Sequence, residues 1–300
     1  ESLSDARTVR KLRRAGFNRV SLGVQSANNE ELYAVGRIHT AEQVEQSVAA
    51  VRKGKIRNLS LDLIYGLPGQ TMESWQESVR KIVALKPEHL SCYGLKIEEG
   101  TPLHRMQDSL TLADDDLQAD MYLWCCDYLK EQGFEHYEIS NFCRGGFHSR
   151  HNSKYWQLDE YAGFGPGAHS DLGGVRYSYV RDLAVYCDCV ESGAGDLIDE
   201  EEHIAPRDRD TEYIMLGLRT ARGIDAKTFE SRFRLPFAPI ATVLEQFRES
   251  GHVLSEDGRW RLTDEGFLLS NTIILAALDA LGQEKVRREQ AAARGDFRIR

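Results

Sequence analysis

Hydrophobic and polar positions follow two different periods along the first 140 residues. Strands are predicted in short apolar, β-branched runs: residues 18–24, 58–65, 89–95 and 135–140. Helices are predicted where apolar positions recur at helical spacing: residues 5–15, 28–35, 40–53, 71–85 and 112–132. Repeated strand-then-helix alternation predicts an α/β fold with a parallel sheet, as a barrel or part of one.

The pattern changes after residue 140. Residues 141–170 are rich in glycine, histidine and aromatic residues, which predicts a long irregular segment with a function. The acidic run at 196–202 predicts a solvated linker. Helical patterns and a hairpin at 210–280 are typical of a winged-helix-like domain. We therefore predict four segments: a partial barrel at 1–175, a linker at 176–209, a helical domain at 210–282 and a tail at 283–300.

Composition narrows the functional classes. The chain has 300 residues and a net charge of -9, which argues against nonspecific binding of nucleic acid or acidic membranes. No apolar run reaches the roughly 18 residues of a membrane span. The six cysteines have no CxxC spacing, which indicates reduced thiols in the cytoplasm. Because the chain begins with glutamate and not methionine, we expect its natural amino terminus to be missing.

Polar side chains interrupt or follow two of the predicted strands, and ligands bind at strand carboxyl ends in α/β barrels. Asp62 lies in an apolar run and needs a partner, either a ligand hydroxyl or amine, an arginine, or a structural group. The amide of Gln25 binds a ligand or caps its strand. Arg37 pairs with a ligand carboxylate or with Asp62, or is solvated. The turn at 66–70 has backbone N–H groups that could face an anion.

Four histidines fall within 34 residues of the glycine-rich region: His136, His148, His151 and His169. An imidazole can bind iron, and the neighbouring rings of Tyr155 and Trp156 can stack on a flat apolar ring. A zinc site is the rival interpretation, although no Cys/His pair was identified with zinc spacing. A purely structural role for these side chains is the other alternative.

Five motifs together resemble the oxygen-independent coproporphyrinogen III oxidase-like radical SAM family. They are RVSLGVQS at 19–26, GRIH at 36–39, LDLIYGLPGQT at 61–71, HYEISNF at 136–142, and HNxxYW at 151–156 followed by GFGPGAHS at 163–170. The stretches at 138–142 and 151–156 look most like the haem chaperone (HemW) branch of that family. The resemblance extends from about residue 5 to about residue 280, with the C-terminal part similar to the HemN C-terminal domain.

The resemblance implies an incomplete (β/α)6 barrel that holds S-adenosylmethionine and a 4Fe-4S cluster. By position, Gln25, Arg37 and Asp62 match family residues that contact S-adenosylmethionine, and His151 with Tyr155 matches a motif linked to haem. The family holds its cluster with a CxxxCxxC motif, which this chain lacks. We therefore expect a fragment whose cluster cysteines lie upstream of residue 1, with no metal ligand assigned inside the chain.

The functional expectation is a haem chaperone that binds haem and S-adenosylmethionine and delivers haem to apo-proteins. The alternative is an oxygen-independent coproporphyrinogen III oxidase, so the resemblance leaves enzymatic activity open. A DNA-binding regulator ranks lowest because the helix predicted at 240–250 is not basic. We expect no nucleic-acid partner and no transmembrane segment, and we leave peripheral membrane contact open.

Overall fold

The computed structural model of the chain describes residue 3 and residues 5–294. The chain divides between His148 and Ser149 into two compact units. The strands described in the first unit are β1 (Arg19–Gln25), β2 (Asn58–Tyr65), β3 (His89–Gly94), β4 (Glu135–Glu138) and β5 (Asn141–Cys143). Its described helices are α1 (Ala6–Arg14), α2 (Asn29–Ala34), α3 (Ala41–Lys53), α4 (Met72–Ala84), α5 (Pro102–Met106) and α6 (Asp115–Glu131). The α/β fold predicted from the alternation is confirmed.

The described strands of this unit form one open, mixed sheet in the order β1-β2-β3-β5-β4. β1, β2 and β3 are parallel, as predicted, whereas β5 is antiparallel to both of its neighbours. The prediction of a parallel sheet is therefore wrong at this edge. The reason is chain length, because residues 139–140 alone separate β4 from β5, and a parallel crossover needs a dozen or more residues.

The outward face of the sheet is apolar and carries the helices. Alternate residues of the strands point to this face, and five of them are fully buried: Leu59, Leu61, Leu63, Leu90 and Phe142. Helices α4 and α6 pack on β2. The buried Trp75 of α4 donates its Nε1–H to the carbonyl of Met121 in α6, at 2.9 Å. The core therefore lies on one side of the sheet, which leaves the other side for polar residues.

Helix starts follow the local signals in the sequence. Thr40 caps α3 and forms a reciprocal capping box with Gln43. Thr71 caps α4 in the same way, with Ser74 as its partner. The helix predicted to begin at residue 112 begins three residues later, at Asp115, because the side chain of Asp114 accepts the backbone N–H of Leu117.

The second unit consists of helices and two small antiparallel sheets in its described part. Its strands are β6 (His169–Leu172), β7 (Val175–Tyr179), β8 (Ile198–His203), β9 (Ile224–Asp225), β10 (Val253–Glu256) and β11 (Arg259–Leu262). Its helices are α7 (Arg150–Gln157), α8 (Leu183–Ser192), α9 (Asp210–Gly217), α10 (Ala226–Phe233), α11 (Ala238–Glu249), α12 (Asp264–Leu268) and α13 (Ser270–Ala293). The helices and hairpin between α9 and α13 agree with the predicted winged-helix-like pattern.

Two stretches expected to lack regular structure are folded. The segment 141–170 contains β5, α7 and β6, and the expected linker at 176–209 contains most of β7 together with α8 and β8. The acidic run lies in β8, an exposed strand whose Glu202 pairs with Arg176 of β7. Charged side chains are common on such edge strands, because they oppose further strand pairing. The pattern of acidic residues therefore reflects an exposed strand instead of a linker.

The predicted tail also differs from the structure. Helix α13 continues through residue 293, past the predicted domain end at 282, and residues 295–300 lie outside the described part. Among the described helices, none is long and apolar enough to cross a bilayer. The segment boundaries at 175, 209 and 282 stay predictions.

Candidate functional site

The inward face of the first unit's sheet is polar because its strands place small and charged side chains there. Register pairs Ser21 of β1 with Ser60 of β2, and Gly23 with Asp62. Asp62 in turn pairs with Ser91 of β3. Paired residues of neighbouring strands point to the same face. The sequence predicted polar groups at single strand positions, and the register joins them into one surface.

Asp62 is half-buried on this face and is supported by hydroxyl groups. Ser21 Oγ lies 3.2 Å from both carboxylate oxygens, and Ser60 Oγ lies 3.2 Å from Oδ1. No arginine pairs with Asp62 among the described residues, so the predicted arginine partner is not found there. A carboxylate has about four lone-pair sites. Two neutral hydroxyls leave it able to accept further hydrogen bonds from a ligand.

Gln25 lies beside Asp62 on the same face. The β1–β2 register shifts between Gly23 and Gln25, and Gln25 has a φ of 67°. This bulge turns the side chain back, so that its Nε2 is 2.7 Å from the position of a Cβ on Gly23. Gly23 is the register partner of Asp62, and a side chain at residue 23 would collide with the amide. The positive φ of Gln25 and the absence of a side chain at Gly23 together allow the Gln25 amide to lie over β1, next to the strand that carries Asp62.

Arg37 is held near the carboxyl end of β1 by its chain neighbours. His39 is buried, and its Nε2 lies 3.2 Å from the carbonyl oxygen of Val24. The left-handed Gly36 turns the chain after α2, and the Arg37 N–H donates to the carbonyl of Leu32 at 2.9 Å. The Arg37 side chain is exposed and makes no hydrogen bond or ion pair within residues 5–294. The guanidinium is therefore available for an anion, and the predicted pairing with Asp62 is not present.

A cavity of about 280 Å³ lies along β1 in this region. Gly23 lines one part of it, and Ile38 and His39, the two residues after Arg37, line another. Side chains of α3, including Gln43 and Ser47, complete the lining. The cavity is therefore lined by chain neighbours of Gln25 and Arg37, and not by Gln25, Arg37 or Asp62 themselves.

Glu31 is a site-organising residue that the sequence reasoning missed. It is buried in α2 and accepts hydrogen bonds from Ser26 Oγ at 2.6 Å, Gln70 Nε2 at 2.9 Å and Ser74 Oγ at 2.6 Å. These donors come from the end of β1, the turn after β2 and the start of α4. A buried carboxylate needs such donors. The charged residue at position 31 looked like an ordinary residue of the first helical turn, so its pattern gave no signal.

The same network decides the role of the turn at 66–70. Gln70 Oε1 accepts the N–H groups of Gly66, at 2.7 Å, and Leu67, at 3.3 Å. The N–H of Gly69 donates to Thr111 O at 2.8 Å, and residue 68 is a proline. The turn's N–H groups are thus satisfied internally. The prediction that they face an anion is not supported by this geometry.

The polar face continues across β3 towards β4. Ser60 Oγ lies 2.8 Å from His89 Nδ1, and His89 Nε2 lies 2.8 Å from the hydroxyl of Tyr137. Burial lowers the pKa of His89 to about 3, so its ring is neutral. Burial also raises the pKa of Glu138 despite the hydrogen bond that the Asn141 amide donates to it. The face therefore carries a connected series of neutral and acidic groups that leads away from Asp62.

The predicted haem residues lie in the second unit, on α7. His151 Nε2 is 2.8 Å from the hydroxyl of Tyr155, one helical turn away, with the two rings edge to face. Both side chains are exposed, and Tyr155 also contacts the ring of Tyr161 at 4.6 Å. The helix thus presents an imidazole beside aromatic rings, the combination that the sequence suggested for a flat apolar ligand.

The other predicted histidines have separate surroundings. His136 stacks on Phe142, with ring centroids 4.2 Å apart, on the apolar side of the sheet. His148 stacks on Tyr137, with ring centroids 4.3 Å apart. The hydroxyl of Tyr137 lies 2.8 Å from Nε2 of His89, which belongs to the polar face of the sheet. His169 is exposed on β6. The two histidines of the first unit therefore do not form a joint metal site.

The cysteines do not fit a 4Fe-4S cluster. The printed sequence has no CxxxCxxC motif. Cys92, Cys125, Cys126 and Cys143 are buried in the first unit, whereas Cys187 and Cys189 belong to α8. Burial raises the pKa of Cys125 well above its ordinary value, which keeps that thiol protonated.

Comparison with known proteins agrees with the fold and the motifs. Residues 1–82 match the Radical SAM superfamily, and residues 204–269 match the HemN C-terminal domain. The chain is 36% identical over 274 residues to the heme chaperone HemW of Lactococcus lactis subsp. lactis (strain IL1403), covering 90% of this chain and 71% of that protein. It is 33% identical over 279 residues to the heme chaperone HemW of Bacillus subtilis (strain 168), covering 92% and 73%.

A solved structure shares the fold. The radical SAM enzyme coproporphyrinogen III oxidase (HemN) from Escherichia coli superposes with a TM-score of 0.74 and covers 91% of this chain and 67% of that one, at 21% identity. At this identity the similarity shows the fold and not the activity. The family is shown by the sequence identities to the two bacterial proteins, and the shared fold agrees with it. The chain belongs to the radical SAM family of oxygen-independent coproporphyrinogen III oxidase-like proteins, in its heme chaperone HemW branch.

Proposed function

We propose that this protein is a haem chaperone that binds haem and S-adenosylmethionine and delivers haem to apo-proteins. The observation that carries the proposal is the exposed His151–Tyr155 pair, in a chain 36% identical to a protein named heme chaperone HemW. The exposed pair suits a cargo that must be released again, since a ligand bound at a surface has a short exit path. The cytoplasm is the proposed compartment, because all six cysteines are free thiols.

On α7, Tyr155 orients the imidazole that would hold the haem iron. Its hydroxyl engages Nε2 of His151, and a hydrogen bond to one ring nitrogen determines which nitrogen is left for a metal. Nδ1 of His151 has no partner among the described residues. The ring of Tyr155, which is 39% exposed, offers an apolar surface for the porphyrin. Haem supplies the iron, and the protein supplies an oriented ligand and a stacking surface.

In the first unit we assign S-adenosylmethionine to Asp62, Gln25 and Arg37. Asp62 accepts from ribose hydroxyls, the Gln25 amide donates and accepts at neighbouring polar atoms, and Arg37 pairs with the carboxylate of the methionine part. The assignment is supported by the spare acceptor capacity of Asp62 and the exposed guanidinium of Arg37. S-adenosylmethionine, when bound, supplies a sulfonium group that can be cleaved reductively.

A haem titration tests the function. The wild-type chain, His151→Ala and His203→Ala are titrated with haem and followed by the Soret absorption. His203 is an exposed histidine of the same unit, with Glu201 as its partner at 3.0 Å, so it controls for nonspecific surface ligation. We expect His151→Ala to bind at least roughly tenfold more weakly, which is about 1.4 kcal/mol, and His203→Ala to bind like wild type. Equal affinities for all three proteins would exclude His151 as the haem ligand.

The alternative is an oxygen-independent coproporphyrinogen III oxidase. The E. coli HemN structure supports it at the level of the fold, and the named relatives at higher identity are heme chaperones. The two functions predict different ligands, and ligand binding can be measured without a cluster. We expect the chain to bind haem and not coproporphyrinogen III, and tight binding of coproporphyrinogen III would favour the oxidase.

A further inference from the structure

A second group of metal-binding side chains converges at the opposite edge of the sheet. Cys143 is the last residue of β5, and Glu135 is the first residue of β4 and its register partner. His148 follows five residues after Cys143, at the end of the loop. The Cys143 Sγ, a His148 ring nitrogen and a Glu135 carboxylate oxygen all lie within 4.8 Å of one another. β5 is two strands away from Asp62, so this group is distinct from the candidate S-adenosylmethionine residues.

The imidazole of His148 is held in position by its surroundings. The His148 ring is stacked on Tyr137 at 4.3 Å, with an angle of 14° between the ring planes. Tyr137 is itself anchored through its hydroxyl to His89. His148 Nε2 already lies 3.2 Å from a carboxylate oxygen of Glu135. A pre-oriented imidazole next to a carboxylate is what a metal site requires of its ligands.

The loop between Cys143 and His148 turns back sharply and brings these two residues together. Gly145 and Gly146 have φ values of 55° and 75°, conformations that glycine adopts without steric cost. The turn is closed by the N–H of Phe147, which donates to the carbonyl of Arg144 at 3.1 Å. Burial and the nearby Glu135 carboxylate raise the pKa of the Cys143 thiol, so a bound cation has to displace its proton.

We propose that Cys143, His148 and Glu135 bind one divalent cation of the zinc type. The Cys/His/carboxylate donor set suits Zn²⁺, whose bonds of about 2.0–2.3 Å require ligand separations of about 3.3–3.8 Å in a tetrahedron. The Glu135–His148 separation of 3.2 Å is already close to this range, and the sulfur lies within 4.8 Å of both partners. One thiolate and one carboxylate neutralise the ion, and water completes the fourth position.

The metal would fasten the loop at 144–147 to the start of β4. Arg144 does not compete for the thiolate, since its guanidinium lies over the Phe134 ring, 4.1 Å from the centroid. The sequence does not predict this site, because zinc sites are recognised from cysteines and histidines paired at short spacing. Cys143 and His148 enclose four residues, and the third ligand lies on the preceding strand, where spacing gives no signal.

Cobalt substitution tests the site without haem or a cluster. The chain is stripped with chelator under reducing conditions, titrated with Co²⁺, and then back-titrated with Zn²⁺. We expect one cobalt per chain, with a thiolate-to-cobalt absorption band that Zn²⁺ abolishes. Cys143→Ser should remove the band. The matched control Cys187→Ser, which alters an exposed thiol of α8, should retain it.

The variant Glu135→Gln protects the test against a folding artefact. Glu135 is 60% exposed, so its substitution leaves the core intact. We expect it to keep the circular dichroism spectrum and to weaken cobalt binding at least about tenfold. Absence of a thiolate band in the wild-type chain overturns the proposal. So does a band that persists in Cys143→Ser, or an affinity that Glu135→Gln leaves unchanged.

Discussion

The buried carboxylate of Glu31 should be a main determinant of stability in the first unit. It receives hydrogen bonds from Ser26, Gln70 and Ser74, and thereby joins the end of β1 to the turn after β2 and to α4. Glu31→Ala leaves three donors without their acceptor. Each buried donor left unpaired costs about 1–3 kcal/mol. Ser26 Oγ also lies 3.2 Å from Ser78 Oγ, and Ser74 Oγ lies 3.1 Å from the carbonyl of Thr71, so both hydroxyls have a second acceptor. We therefore expect a total loss of about 2–4 kcal/mol.

Hydrogen–deuterium exchange measures this loss in the first unit by itself. A two-unit chain need not unfold in one transition, so a global melting curve mixes contributions. Slowly exchanging amides of β1 and β2 report the opening free energy of their own sheet. Glu31→Ala should lower that free energy by the amount given above, and Glu31→Gln by about 1–3 kcal/mol, since one oxygen acceptor is kept.

Glu30→Ala is the matched control, because Glu30 is the adjacent, exposed acidic residue of the same helix. A surface change of this kind should alter stability by no more than about 0.5 kcal/mol. If Glu31→Ala and Glu30→Ala lower the opening free energy equally, the carboxylate does not organise the site.

Two further predictions follow from the polar face. Gly23→Ala places a methyl group 2.7 Å from Gln25 Nε2 and should weaken S-adenosylmethionine binding by roughly tenfold in calorimetric titration, whereas unchanged affinity would show that the Gln25 amide is not a contact. Because the folded pKa of His89 is about 3 and the unfolded value is about 6.5, protons bind the unfolded state preferentially. Stability from this group is therefore present above pH 6.5 and is lost as the pH falls towards 3. His89→Gln should reduce the decline of the free energy of unfolding with falling pH, measured by urea unfolding at several pH values. An unchanged slope against pH would contradict the lowered pKa of His89.

The periodicity of the sequence predicted most elements of the first unit because its strands and helices bury one face each, but it predicted neither α5 nor β5. The apolar run at 58–65 indicated a buried strand, and the structure shows that Leu61 and Leu63 lie on one face of it and Ser60 and Asp62 on the other. What the pattern did not contain was the direction of β5. Strand direction there depends on the short connection at 139–140, and β5 itself lies in the segment 141–170, which the sequence predicts to be irregular.

The candidate site was predicted residue by residue, but its assembly depends on long-range contacts. Asp62 stood out because it interrupts an apolar run. Its hydroxyl partners, the folded-back Gln25 and the buried Glu31 come from separate segments, and no local spacing connects them. The anion-binding role given to the 66–70 turn is not supported, because Gln70, a residue of the turn itself, accepts the N–H groups of Gly66 and Leu67. The long-range contact there is the hydrogen bond from Gln70 to Glu31, which orients that side chain.

Haem delivery is the most direct test of the proposed function. The haem-loaded chain is mixed with apomyoglobin as a haem-free acceptor, and the holo-acceptor spectrum is compared with that from the same amount of free haem. We predict a higher yield of holo-acceptor from the loaded wild-type chain than from free haem, with His151→Ala giving no gain. Haem that stays on the chain, or an equal yield from wild type, His151→Ala and free haem, would contradict the chaperone account.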